Sequence, residues 1–191
     1  MGLFIGYTND RRVIVQKRTI HLFLLWKKMT LQKRGIFAFL TMIATPLISN
    51  AETFRVIESF PVSELWINPG FYSYHFQKDK GLNNSNFGFG AEYRYSTVNS
   101  ITAGVFYNSD RQTSHYAGWY WQPFAVGPMR FGVTAGVLDG YPRMQNGGWF
   151  PSIIPTASVE FNSVGANIIF VPSYKDKVYG SISLQLKIRV Y

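Results

Sequence analysis

His75 and Ser109 are the side chains whose chemistry could be coupled: an imidazole that accepts a proton near neutral pH, and a hydroxyl that becomes nucleophilic when its proton is taken. Asn108 precedes that serine and Asp110 follows it. Asp139, Gly140 and Tyr141, then Ser173 and Tyr174, and a second imidazole at His115 complete the reactive set. These residues are too far apart to form a local motif, so joint chemistry requires a fold that gathers distant loops. No Walker loop, HExxH, CxxC or GxSxG pattern occurs, and cysteine is absent, which leaves no thiol or disulfide chemistry. No metal and no cofactor is expected.

The elements that would carry these residues are strands. Phe87, Phe89, Ala91, Tyr93 and Tyr95 alternate with Gly88, Gly90, Glu92 and Arg94, and Ile182, Leu184, Leu186, Ile188 and Val190 alternate with Ser181, Ser183, Gln185, Lys187 and Arg189. Such period-two writing gives each strand one oily face and one polar face. From Trp66 onward eight segments read this way, over 66–76, 87–96, 100–108, 115–126, 129–138, 150–161, 165–173 and 179–191. Short turns at 97–99, 127–128 and 162–164 alternate with longer loops at 77–86, 109–114, 139–149 and 174–178.

The expectation is an all-β, eight-stranded antiparallel up-and-down transmembrane β-barrel, with apolar residues facing lipid and short turns on one rim. A soluble barrel would instead line a pocket with its apolar face and carry charge outside, yet charge is scarce on these strands. Glu92, Glu160, Arg94, Lys187 and Arg189 all fall near the short-turn rim, where they could form one buried network. The same up-and-down order delivers His75, Ser109, Asp110, Tyr141 and Ser173 to the long-loop rim.

The net charge of +9 suggests nucleic acid at first sight, but its distribution argues against that partner. Residues 1–51 hold eight basic residues and one acidic residue, leaving eleven against nine in residues 52–191. The apolar run from Gly35 to Leu47 follows Lys33 and Arg34 and ends in Ser49, Asn50 and Ala51, the form of a signal peptide over 29–51 cleaved after Ala51. Residues 1–28 read either as a misannotated extension before Met29 or, through His21-Leu-Phe-Leu-Leu-Trp26, as a weak extra anchor. Residues 52–65, with Phe54, Ile57 and Leu65 near one another, read as a short periplasmic amphipathic helix leading into the barrel at 66–191.

Gly132-Val-Thr-Ala-Gly-Val137, Ile154-Pro-Thr-Ala-Ser-Val159 and Phe170-Val-Pro172 resemble, in order, three stretches of the lipid A palmitoyltransferase family, the PagP-like barrels. The resemblance spans about residues 66 to 191. It implies an eight-stranded outer-membrane barrel that moves an acyl chain from a phospholipid donor to a lipid A acceptor, using a His, an Asp and a Ser at the extracellular rim. Tyr74-His75-Phe76 is similar to the family's histidine stretch and Phe106-Tyr107-Asn108-Ser109 to its Asp-Ser stretch, which makes His75 and Ser109 the candidates. Asn108 stands where the family has aspartate, and Asp110 could substitute only through a rearranged loop. Ala117-Gly-Trp-Tyr-Trp121 resembles the stretch whose last glycine floors the acyl pocket, so Tyr120 would shorten that pocket. Pro155 and Pro172 match prolines that leave unpaired gaps for lateral lipid access, or else simply end or kink their strands.

The expected function is therefore acyl transfer in the outer membrane of a Gram-negative bacterium by a monomer, with no nucleic-acid partner. The competing expectation is a noncatalytic barrel that binds lipid or a surface partner, which the missing aspartate favours.

Overall fold

The computed structural model describes residues 54–191; the expected extension, the signal peptide and the first two residues of the expected helix lie outside them. After a two-residue strand β1 (Arg55–Val56) come β2 (Pro61–His75), β3 (Ser85–Ser96), β4 (Asn99–Tyr107), β5 (Thr113–Val126), β6 (Met129–Leu138), β7 (Phe150–Phe161), β8 (Val164–Val171) and β9 (Ser181–Arg189). Each of β2 to β9 pairs antiparallel with the next, and β9 pairs back onto β2. The result is a closed eight-stranded up-and-down barrel, in which every barrel strand has a neighbour on both sides over at least part of its length. Two-residue turns at 97–98, 127–128 and 162–163 occupy one end, and the loops 76–84, 108–112, 139–149 and 172–180 occupy the other.

The helix expected over 52–65 is not formed in its described part. Arg55 and Val56 pair with Ala125 and Phe124, the Ile57 amide donates to the Pro123 carbonyl at 2.7 Å, and β2 is extended from Pro61, five residues earlier than the pattern suggested. The Thr97 amide donates to Phe60 O at 2.9 Å, so this segment runs beneath the β3–β4 turn. Backbone groups that a helix would bond internally are bonded to strands instead. Three apolar residues are too short a sample of helical spacing to outweigh this, and Val56, Ile57 and Val62 are β-branched residues that favour extended backbone.

Side-chain alternation sorts the barrel into an apolar outside and a polar inside. Phe87, Phe89, Tyr93, Tyr95, Ile101, Trp119, Trp121, Ile182 and Ile188 are exposed, whereas Glu92, Arg94, Ser100, Thr102, Ser158, Asn167, Gln185 and Lys187 are buried. In β2 the inward parity changes partway along. Trp66 and Asn68 are buried on even positions, but beyond an irregularity at Gly70 the buried positions are Ser73 and His75. Gly70 has φ +97°, and a Cβ there would collide with the Asn86 carbonyl, so a glycine is needed for this bulge. Without it the even parity would carry on and His75 would face outward.

The turn end of the lumen is filled by charge. Lys187 Nζ lies 2.7 Å from Glu92 Oε2 and 2.8 Å from Glu160 Oε1, Arg130 reaches Glu160 at 2.9 Å, and Arg94 pairs with both Glu160 and Glu64. Arg189 closes the cluster on Glu64 at 2.7 Å. Trp66, 1% exposed, lies under Lys187, Arg94 and Arg189 with its indole N–H donating to Glu64. All five charges singled out in the sequence belong to this network. Glu64 and Arg130 complete it, Glu64 through the strand that replaces the expected helix.

Candidate functional site

A cavity of about 460 Å³ occupies the loop end of the lumen, within the usual range for a small-molecule site. Phe71, Phe106, Leu138, Ile154 and Ile169 supply apolar wall. At its mouth it is bordered by His75, Ser109, Asp110 and Tyr141, residues from three separate segments. The expected convergence of distant rim residues is therefore present for these four.

His75, the last residue of β2, is 5% exposed, and its Nδ1 lies 2.8 Å from Asn84 Oδ1. Ser109 sits in the β4–β5 loop, where its carbonyl accepts the Asn83 amide at 2.9 Å, and it lines the cavity together with Tyr141. Burial pushes the Tyr141 phenol up to about 12; the neighbouring Ser109 side chain opposes this and the Asp110 charge adds to it. That phenol stays protonated at neutral pH and can donate. Asp110 faces Arg143, 3.9 Å away, on the β6–β7 loop.

Asn108 is committed to the structure of its own loop. It is fully buried; its Nδ2 donates to Ser114 Oγ at 2.8 Å and to the Gly140 carbonyl at 2.7 Å, and its Oδ1 accepts the amides of Asp110 and Gln112 at 2.9 and 3.0 Å. The two donor and two acceptor positions of this amide are all spent on shaping its own loop and tying it to the next. A carboxylate there could make only the accepting half of these bonds.

Tyr120 is 3% exposed, points into the lumen and borders the cavity, its hydroxyl facing Thr134 and Asn167. Asn167 donates to Glu92 Oε2 at 3.2 Å and to Gln185 Oε1 at 2.9 Å. Tyr120 thus lies between the apolar cavity and the polar layers beneath it. Pro155 and Pro172 flank a break in the wall. Pairing between β7 and β8 stops at Thr156 with Ile169, so the loop-end part of β7 from Phe150 to Pro155 pairs only with β6. Pro172 ends β8 and borders the cavity, as do Ile153 and Pro151 from the outer face of β7. Ile153 is 73% exposed, so the cavity reaches the outer surface between these two strands.

His115 is not gathered into the mouth. It faces outward, with Nδ1 3.1 Å from Asp139 Oδ2 and Trp149 alongside. Ser173 instead accepts from Gln77 Nε2 and the Gly180 amide, both at 3.0 Å. Asn84 escaped notice in the sequence because an asparagine in a polar loop carries no signal of its own. Its partner is known only once β2 and β3 are paired. Among the described residues no group of three His, Cys, Asp or Glu side chains could hold a metal ion.

Fold and site together define a closed eight-stranded antiparallel barrel with a blind, mostly apolar cavity open at one rim and through one wall. No family model and no curated protein matches the chain.

Proposed function

We propose that the chain is an outer-membrane acyltransferase that moves an acyl chain from a phospholipid to lipid A or a related lipid acceptor. The observation that carries this reading is the cavity, an apolar blind hole with His75 and Ser109 at its mouth and a wall left open between β7 and β8. Placement in the outer membrane of a Gram-negative bacterium is supported by the apolar outer surface, by strands of 8 to 15 residues, and by the export signal read at 29–51. Trp119, Trp121, Tyr93 and Tyr95 toward the turn end, and Phe87, Phe89, Tyr72 and Tyr74 toward the loop end, suit the two interfacial belts. The charge cluster fills the lumen below, which favours an enzyme or binder over a pore.

In this reading the donor enters laterally and lays its acyl chain along Phe71, Phe106 and Ile154, leaving its ester at the mouth. The His75 imidazole takes the proton from an acceptor hydroxyl as that oxygen attacks the ester carbonyl. Ser109 and Tyr141 offer hydroxyl donors to the negative carbonyl oxygen. When the intermediate collapses, the acyl–oxygen bond of the donor breaks and the imidazolium returns its proton to the leaving lysophospholipid alkoxide. Tyr120 limits chain length, which favours acyl groups shorter than palmitoyl.

A noncatalytic lipid-binding barrel is the second reading, favoured by the commitment of Asn108 to its loop. Mass spectrometry of lipid A separates the two when the chain is expressed in an acyltransferase-null host beside His75→Ala and Ser109→Ala. Acyl transfer requires an added chain that both substitutions abolish. An unchanged lipid A profile from a barrel that folds, as judged by heat-modifiable migration, refutes it.

A further inference from the structure

We propose that Asn84 is the positioning residue for His75, and that the Asn83–Asn84 pair holds the base and the serine-bearing loop in one register; this rests on the acyl-transfer reading. The Asn84 side-chain oxygen lies 2.8 Å from His75 Nδ1. An amide oxygen can only accept, so Nδ1 carries the proton, and the lone pair is left on Nε2. Asn84 is itself fixed, because its carbonyl accepts the Ser73 amide of β2 at 2.8 Å. The preceding residue anchors the other half of the site. Asn83 donates its backbone N–H to the Ser109 carbonyl at 2.9 Å and its side-chain amide to the Asn108 carbonyl at 3.2 Å. Arg111 ties the same two loops again through the Gly81 carbonyl at 2.8 Å.

Two adjacent residues therefore connect directly to the two candidate catalytic residues. The carboxylates nearby are not available for this work, since Asp110 faces Arg143 and Asp139 serves His115 on the outer face. A neutral amide fixes the ring and its tautomer without placing a buried negative charge beside it, the logic of triads in which asparagine orients the histidine. The absence of an aspartate at position 108 then does not leave the base unoriented.

The test uses the 15N-labelled chain folded in detergent micelles, with folding checked by heat-modifiable migration, and Asn84→Leu and Asn84→Asp beside it. Ring-nitrogen NMR, with His75 assigned by its loss in His75→Ala, is expected to show protonated Nδ1 in the natural chain. Asn84→Leu should lose that preference, and Asn84→Asp, which keeps an acceptor in place, should retain it. With mixed phospholipids as donor and lipid A as acceptor, Asn84→Leu should lower kcat by about 10- to 100-fold with KM changed less than about twofold, and Asn84→Asp should recover activity. A protonated Nε2 in the natural chain, or a tautomer indifferent to Asn84→Leu, overturns the assignment whether or not lipid A is acylated. If the tautomer responds as expected while the natural chain leaves lipid A unchanged, acyl transfer is what fails, and the orienting hydrogen bond stands.

Discussion

Replacing Lys187 with methionine tests whether the charge cluster holds the barrel together. Lys187 is 1% exposed and contacts two carboxylates at 2.7 and 2.8 Å. At an effective dielectric of about 20, each contact is worth roughly 6 kcal/mol before desolvation, and withdrawing each ion from water costs several kcal/mol. Glu160 would keep Arg94 and Arg130, but Glu92 would be left with Arg94 at 3.6 Å and hydrogen bonds from Ser100 and Asn167. Stranding a buried carboxylate in this way should destabilise the barrel by about 3–5 kcal/mol. Adding Glu92→Gln removes that charge and keeps an oxygen for Ser100, so the double variant should regain about 2 kcal/mol or more. Urea unfolding in lipid vesicles, followed by tryptophan fluorescence and heat-modifiable migration, measures both quantities. A loss below about 1 kcal/mol for Lys187→Met, or strict additivity in the double variant, would refute the reasoning.

Asn108→Asp sets the family resemblance against the geometry. The substitution introduces the aspartate that the resembled family carries, yet it turns two donors into acceptors facing Ser114 Oγ and the Gly140 carbonyl. Stability should fall by about 3 kcal/mol in urea titration with no gain in acyl transfer, and a stable, more active variant would contradict this. Tyr120→Gly removes roughly 150 Å² of ring surface, room for about five methylenes at about 30 Å² each, so the longest chain transferred should lengthen accordingly in lipid A mass spectra. An unchanged chain length would show that Tyr120 does not set the depth.

Strand number, face and turn placement were legible because a strand declares itself locally. Alternation at period two in β3 and β9, and the short 127–128 and 162–163 turns, carry their meaning within a dozen residues. Tyr120 was singled out beside a pocket only through the resemblance of the Ala117–Trp121 stretch, not through alternation. The segment at 54–65 was not legible, since its backbone partners lie on β5 and at Thr97, far along the chain.

What the sequence by itself determined was therefore the barrel, its polar lumen and the loops that share a rim. Only the tertiary structure decided which groups on that rim meet. The Gly70 bulge turns His75 inward, ring closure brings Asn84 to its Nδ1, and loop docking consumes every hydrogen-bonding position of Asn108. Hydrogen bonds between distant loops depend on register and closure, and these are properties of paired strands that no single segment encodes.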